Sequence, residues 1–217
     1  MLSLADALQI AGRQNPGLQA EMTARQIAHG DATTAALLPN PQLSLRSEGF
    51  RGGSFLDRQE LSFEVSQEIQ TAGKRFQRKA VAGANLRATE ADVDNTARLL
   101  RFAVKQAYFQ IVLAKAEIAV AHDLLDDIDR HIRSKEEQFR LGEISGVELR
   151  RIQVERFRVF DEVVTGELNL KQGRATLLTL LGFPDSTFEF DVSEELVKGE
   201  PVGSLPPLHA EALQSRP

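Results

Sequence analysis

The sequence predicts a mainly α-helical protein, built on a long antiparallel coiled-coil hairpin that carries a β-hairpin. Three observations support this fold class. Residues 74–140 contain no proline and only one glycine. Apolar residues recur there at alternating spacings of four and three, the period of a left-handed coiled coil. Two short segments before that stretch alternate apolar and polar residues, as strands with one apolar face do.

Composition limits the function classes. A chain of 217 residues suits one domain or two, and 42% hydrophobic residues are too many for a disordered chain. No run of 18 apolar residues occurs, so no transmembrane helix is expected. The absence of cysteine excludes disulfides, thiol catalysis and thiolate-bound metals. A net charge of −5 argues against nucleic acid as the main partner.

Residues 1–38 are predicted to form two helices. Ser3 and Asp6 have the spacing of a helix start, with the acid in place of the usual glutamate of a capping box. Pro16 follows an asparagine, ends the first helix and can begin the second. The second helix should run to about Leu38, because prolines follow at positions 39 and 41.

Residues 39–73 are predicted to form a β-hairpin. Segments 42–47 and 61–66 alternate, and the glycine-rich segment 48–54 between them favours a fairly long loop. Two strands alone are marginally stable in water, so this hairpin needs further strands. Taken alone, the alternation favours half-buried strands of a small soluble sheet, because barrel signals are weak per strand.

Residues 74–182 are predicted to form the helical hairpin. Gly142 suits the left-handed position after a helix, and Ser145 with Glu148 forms a capping box for the next one. So short a connection makes the two helices antiparallel neighbours. The seam of the first helix is formed by Leu100, Val104, Ala107, Ile111, Ala114, Ile118, Ala121, Leu125, Ile128 and Ile132. The returning helix, with Arg156 as its one polar interruption, contributes Leu149, Ile152, Val159, Val163, Gly166, Leu170, Gly173, Leu177 and Leu180.

The long helix carries a second apolar line, here called the outer stripe: Phe102, Phe109, Leu113, Ala116 and Val120. A coiled coil with one partner needs only one narrow stripe, so a second one implies further neighbours. The hairpin is therefore expected to be an element of a wall.

The remainder is predicted to be an irregular segment, 183–204, followed by the start of a truncated second repeat, 205–217. Within the first, residues 187–192 alternate and predict one short strand. The second aligns with residues 4–16, with Leu205 over Leu4, Ala212 over Ala11 and Pro217 over Pro16.

This order of elements resembles one repeat of the TolC-like outer-membrane efflux proteins, also called outer membrane factors. Four segments carry the resemblance: 37–43 at the start of the first membrane strand, 63–75 from the second strand into the long helix, 139–149 at the periplasmic tip, and 178–182 at the close of the repeat. The similarity covers nearly the whole chain, or about one repeat of two. The Gly73-Lys74-Arg75 variant and the double-proline strand start are most similar to the heavy-metal branch, that of cobalt–zinc–cadmium resistance.

The resemblance implies an assembled α-barrel and β-barrel. Family members are secreted, carry two repeats and assemble as homotrimers, so a signal peptide and a second repeat would belong to the complete protein. The expected location is the cell outer membrane of a Gram-negative bacterium, extending into the periplasm. The expected partners are a periplasmic adaptor (membrane fusion) protein, an inner-membrane pump of the resistance-nodulation-division type and outer-membrane lipid.

Two sets of candidate site residues follow from the resemblance. The lipid-facing strand residues would be Leu43, Leu45, Leu61, Phe63 and Val65, opposite a wet lumen. The adaptor-docking tip would comprise Arg140, Leu141, Gly142, Glu143, Ile144 and Ser145. Capping alone already explains Gly142 and Ser145, but it leaves two apolar residues, Leu141 and Ile144, exposed at a turn.

Two charged groups leave alternatives open. Four basic residues lie at the start of the long helix, where the helix dipole disfavours cations: Lys74, Arg75, Arg78 and Lys79. Either lipid head-group phosphates or simple solvation would have to compensate for their charge. Aspartates at 123, 126, 127 and 129, with His122 and His131, could hold a metal, although a solvated helix face is favoured and no metal site is expected.

No catalytic set, phosphate-binding loop or cofactor motif occurs, so an enzyme is not expected. The resulting expectation is an outer-membrane channel subunit of a tripartite efflux system, a passive conduit for small solutes or metal cations. The alternative is a soluble periplasmic or cytoplasmic coiled-coil scaffold or adaptor with a small β-domain.

Overall fold

The computed structural model describes residues 1–48, 60–185, 190–193 and 205–215 of the chain. Its elements, in order, are α1 (Leu4–Gln14), α2 (Pro16–Ala36), β1 (Gln42–Glu48), β2 (Glu60–Ser66), α3 (Lys74–Arg140), α4 (Gly146–Leu181) and α5 (Leu205–Ser215). The chain divides into a larger unit, Met1–Glu21 with Asp92–Pro217, and a smaller unit, Met22–Ala91. The predicted fold class, mainly helical with a β-hairpin, is confirmed.

Helix α3 is a single uninterrupted helix of 67 residues. At about 1.5 Å per residue it is roughly 100 Å long. Its predicted bounds are confirmed, because nothing between Lys74 and Arg140 interrupts the helical hydrogen bonds. Among the described helices, none combines the length and the apolar character needed to cross a membrane.

The seam between α3 and α4 is confirmed position by position. Every predicted seam residue of both helices is buried or half-buried. Two glycines of α4 let the backbones approach closely. A Cβ atom added at Gly166 would lie 2.7 Å from Cγ1 of Ile118, and one at Gly173 would lie 3.1 Å from Cγ1 of Ile111.

The core of the larger unit lies where α1 packs against α3 and α4. Ala7 and Ala11 of α1 are fully buried beside Tyr108, Ile111 and Leu177. The predicted capping of α1 is confirmed, since the Asp6 amide donates to the Ser3 hydroxyl oxygen at 3.1 Å.

The break between α1 and α2 is fixed by its asparagine. The Asn15 side-chain amide donates to the Leu180 carbonyl at 2.9 Å, and its Oδ1 accepts from the Leu18 amide at 3.0 Å. Gly182, at the end of α4, lies against the end of α1. A Cβ atom at Gly182 would lie 2.5 Å from the Gln14 carbonyl oxygen.

In the smaller unit, β1 and β2 pair antiparallel, with Leu43 opposite Val65 and Leu45 opposite Phe63. The predicted hairpin is therefore confirmed, with each strand one residue longer than expected. The predicted loop lies largely in 49–59, outside the described residues. Helix α2 ends at Ala36 rather than near Leu38, because a residue before proline is disfavoured in helical conformation.

The short strand expected over 187–192 lies partly outside the described residues. In the described segment 190–193, Val192 forms one isolated parallel bridge with Leu2. Residues 186–189 and 194–204 lie outside the described residues. Helix α5 has 11 residues, the same length as α1 with which the sequence aligned it. Unlike Ala11 of α1, its counterpart Ala212 is exposed.

The glycine at 166 yields a stability prediction. Gly166→Ala gains about 1 kcal/mol of helix propensity, but its methyl group overlaps Ile118 and forces the helices apart, so a net loss of about 1–3 kcal/mol is expected. Chemical unfolding of the purified chain in detergent measures it.

Gly12→Ala is the matched control, because a Cβ atom there meets nothing within 4 Å. This variant should gain about 0.5–1 kcal/mol. Equal stabilisation by both substitutions would contradict close packing at Gly166.

Candidate functional site

The tip of the hairpin is a Schellman turn. The Glu143 amide donates to the Gln138 carbonyl at 2.9 Å and the Gly142 amide to the Phe139 carbonyl at 3.0 Å. Gly142 has φ of +76°, the left-handed conformation that was predicted for it. Ser145 then caps α4, accepting from the Glu148 amide at 3.3 Å. Local hydrogen bonding therefore explains the shape of the tip.

The apolar side chains of the tip separate into exposed and covered ones. Leu141 is 64% exposed, as predicted. Ile144 is half-buried, so its predicted exposure was wrong; it turns partly inward at the cap of α4. Val147, which sequence reasoning did not single out, is 78% exposed. The sequence did contain a signal for this exposure, because Val147 does not fit the spacing of the α4 seam, which begins at Leu149.

Two ion pairs lie at or near the tip. Arg140 donates to Glu137 one turn earlier at 2.6 Å, and Lys135 of α3 donates to Glu148 of α4 at 3.3 Å. The glutamate of the predicted capping box thus also links the two helices. Glu143 is exposed, so the tip presents a carboxylate beside apolar side chains.

The strand pair has one apolar and one polar face. The five predicted lipid-facing side chains are between 64% and 68% exposed: Leu43, Leu45, Leu61, Phe63 and Val65. Leu43 faces Val65 and Leu45 faces Phe63 across the register, so these four share one face of the pair. The neighbouring pairs, Ser44 with Glu64 and Arg46 with Ser62, lie on the other face. The structure therefore brings the predicted apolar residues together.

Two of the four basic residues at the start of α3 have partners that sequence reasoning did not consider. Arg75 donates to the Ala36 carbonyl at 2.6 and 3.0 Å. Arg78 donates to the carbonyls of Ala35 at 3.2 Å and Leu37 at 3.1 Å. These are carbonyls that the end of α2 leaves without helical partners. The C-terminus of α2 therefore compensates for the positive charges of Arg75 and Arg78. Sequence reasoning missed this contact because it spans about 40 residues.

The outer stripe is exposed except for Ala116, which is half-buried. Helix α4 has a matching exposed line that sequence reasoning did not identify: Val154, Phe157, Phe160, Val164 and Leu168. Its spacings of three and four residues were the available signal. Each long helix thus has a buried seam and an exposed apolar stripe.

Arg156, the polar interruption of the seam, pairs with Asp129 of α3. Its Nε lies 2.5 Å from Oδ1 and its Nη2 lies 3.2 Å from Oδ2, a two-point contact. The hydrogen bond from Arg156 lowers the pKa of the Asp129 carboxyl below its usual value. The polar residue is accommodated because the opposite helix supplies its counter-charge.

The acidic face of α3 is exposed at His122, Asp126, Asp127 and His131. Asp127 accepts a hydrogen bond from Arg130. Within the described ranges there is no group of three or more histidine, aspartate or glutamate side chains that could hold a metal.

The described residues thus leave two kinds of apolar surface exposed, one face of the strand pair and the stripes on the long helices. The profile of the outer membrane efflux protein family matches residues 7–183. The chain belongs to this family, which confirms the resemblance and the expected location in the outer membrane. None of the curated proteins is significantly similar in sequence.

Solved structures share the fold. The outer-membrane channel OprN has a TM-score of 0.78 and 18% identity, over 98% of this chain and 50% of its own. The open-state MtrE outer membrane channel of Neisseria gonorrhoeae has a TM-score of 0.71 and 20% identity, over 98% of this chain and 49% of its own. CusC is described as changing conformation during folding and transmembrane channel formation. It has a TM-score of 0.73 and 19% identity, over 90% of this chain and 46% of its own. The chain spans about half the length of these proteins.

The contact of Arg78 with α2 yields a second prediction. Arg78→Met keeps the length of the side chain but removes its donors to Ala35, Leu37 and Gln70. A loss of about 1–2 kcal/mol is expected, with faster hydrogen exchange at the end of α2. Hydrogen exchange and thermal unfolding in detergent measure both effects.

Lys79→Met is the control for charge, because Lys79 is an exposed neighbour on the same helix. Equal effects of the two variants would mean that net charge, and not the hydrogen bonds to α2, accounts for the result.

Proposed function

We propose that this chain is part of the wall of an outer-membrane efflux channel, a passive conduit for small solutes or metal cations. An inner-membrane pump of the resistance-nodulation-division type supplies the energy. The observation that carries the proposal is the pair of exposed apolar stripes outside a long helical hairpin, in a chain of the outer membrane efflux protein family.

The stripes support a wall because of where they lie. Leu113 and Val120 of the outer stripe line a groove together with Gly166 of α4, so this part of the stripe lies beside the seam. Exposed apolar residues beyond the seam need a further neighbour. Side-by-side hairpins of a homotrimer, closed around a bore, would give every stripe a neighbour.

The strand pair supports a contribution to a barrel. Among the described residues each strand of the pair has a partner on one edge only, and an unpaired edge is a template for adding another strand. Its exposed leucine, valine and phenylalanine side chains suit contact with outer-membrane lipid, and its polar face suits a water-filled lumen. The family's heavy-metal branch remains a prediction from the Gly73-Lys74-Arg75 variant and the double-proline start of the first strand.

The tip supports docking of a periplasmic adaptor protein. Leu141 and Val147 present apolar surface at an end of the hairpin where no described residue covers them. Glu143 adds a carboxylate. The soluble scaffold that the sequence left as an alternative loses its support, because a scaffold needs neither an apolar strand face nor membership of this family. No described feature favours an enzyme.

The lipid contact is tested by two adjacent residues on opposite strand faces. Leu45→Lys places a charge on the face proposed to contact lipid, which costs about 2–4 kcal/mol near the bilayer midplane, so the yield of inserted protein should fall. Ser44→Lys places the same charge on the lumen face and should insert normally. Outer-membrane fractionation measures insertion, and equal insertion of both variants would contradict the assigned faces.

Docking is tested at Leu141. Leu141→Asp should weaken adaptor binding about 10- to 100-fold, because burial of a leucine side chain contributes about 1.5–3 kcal/mol. Export should fall in cells that carry the complete efflux system. Gly142→Asp should also abolish export, but it strains a left-handed turn, so Leu141 is the cleaner site.

The control is Ile27→Asp on α2, where the side chain is 61% exposed and lies far from the tip in sequence. Adaptor binding is measured with purified proteins, and trimer content and insertion are measured for both variants. Full adaptor binding by the Leu141 variant would refute the docking role.

A further inference from the structure

A charged cluster in the larger unit has no part in the proposed channel wall. It centres on Asp191, in the four described residues 190–193, here called the strap. Lys115 of α3 donates to both carboxylate oxygens of Asp191, at 2.8 and 2.9 Å. Arg174 of α4 lies 3.9 Å from the same carboxylate. One side chain of the strap thus contacts cations from both long helices.

The strap also holds the N-terminal residues. The Leu2 amide donates to the Asp191 carbonyl at 2.7 Å, and the Ser193 amide donates to the Leu2 carbonyl at 3.1 Å. The Tyr108 hydroxyl of α3 donates to the same Leu2 carbonyl at 2.9 Å. Because Leu2 directly precedes the cap of α1, the strap fixes the chain at the point where α1 begins.

Two interactions could position the strap. Val192 is buried in the core and Phe190 packs against the same core, so apolar contact holds one side of the strap. The Asp191 carboxylate has fixed partners: Lys115, Arg174 and the Val192 amide, which donates to Oδ1 at 2.9 Å. A shift by one residue would remove Asp191 from both cations and turn the apolar side chain outward.

We propose that Asp191 is an electrostatic latch, through which Lys115 and Arg174 hold the strap and Leu2 on the helical hairpin as one unit that docks and undocks together. The hairpin itself does not depend on the latch, since the seam between α3 and α4 is separately buried. The proposal is independent of the channel function.

The charge state of Asp191 sets the conditions under which the latch holds. The charged groups that the structure places at Asp191 are Lys115 and Arg174, and the hydrogen bond from Lys115 lowers the pKa of the Asp191 carboxyl. A carboxyl with a lowered folded-state pKa stabilises the docked strap fully above the ordinary aspartate pKa of about 4. That contribution is lost as the pH falls through the lowered value.

Asp191→Asn tests the latch in the full chain, purified in detergent. Asparagine keeps an acceptor for the Val192 amide and removes only the charge. Hydrogen exchange at Leu2 and Ser193 should become about tenfold faster together, while exchange in the seam around Ile111 should stay unchanged. Lys115→Met should give the same pattern, and the double variant should be no faster than either single one.

Lys105→Met, an exposed lysine of α3, is the control and should leave exchange at Leu2 unchanged. Unchanged exchange at Leu2 and Ser193 in the Asp191 variant would overturn the latch, because the apolar contacts of Val192 and Phe190 would then position the strap. Faster exchange throughout the chain would also overturn it, because Asp191 would then stabilise the whole fold.

Discussion

The close contact of α3 and α4 along their apolar seam is the constraint on which the larger unit depends. It requires a long stretch free of proline, apolar residues at a 3.5-residue period, and glycine where the backbones come closest, at Gly166 and Gly173. Helix α1 packs on the surface that this contact creates, and the tip lies where the two helices are forced to reverse. Arg156 fits into the seam because Asp129 supplies its counter-charge from the opposite helix.

Features that depend on local residue order could be predicted from the sequence. The Schellman turn at Gly142, the cap at Ser145 and the strand alternation are all encoded within a few residues of where they act. Features that depend on distant pairs could not. Arg78 and Ala35 are 43 positions apart, and Lys115 and Asp191 are 76 apart, so no local pattern joins them. The sequence also did not predict that Ile144 is half-buried.

The two kinds of apolar surface have different consequences. The seam is buried within the chain and gives a stable hairpin, whereas the outer stripes and the strand face stay exposed. Exposed apolar area on this scale is unusual for a protein that works alone in water. The chain therefore combines a buried framework with exposed apolar surface, on its long helices and on its strand pair. Both occur in a chain of the outer membrane efflux protein family.

At Gly142 the backbone conformation and the space available to a side chain place different limits on the residue. Its backbone has a left-handed φ of +76°, yet a Cβ atom of the L configuration would meet nothing within 4 Å there. The backbone conformation, and not the space around it, therefore limits this position. A D-amino acid introduced by chemical synthesis favours a positive φ, so its backbone would adopt this turn without the strain of an L-residue.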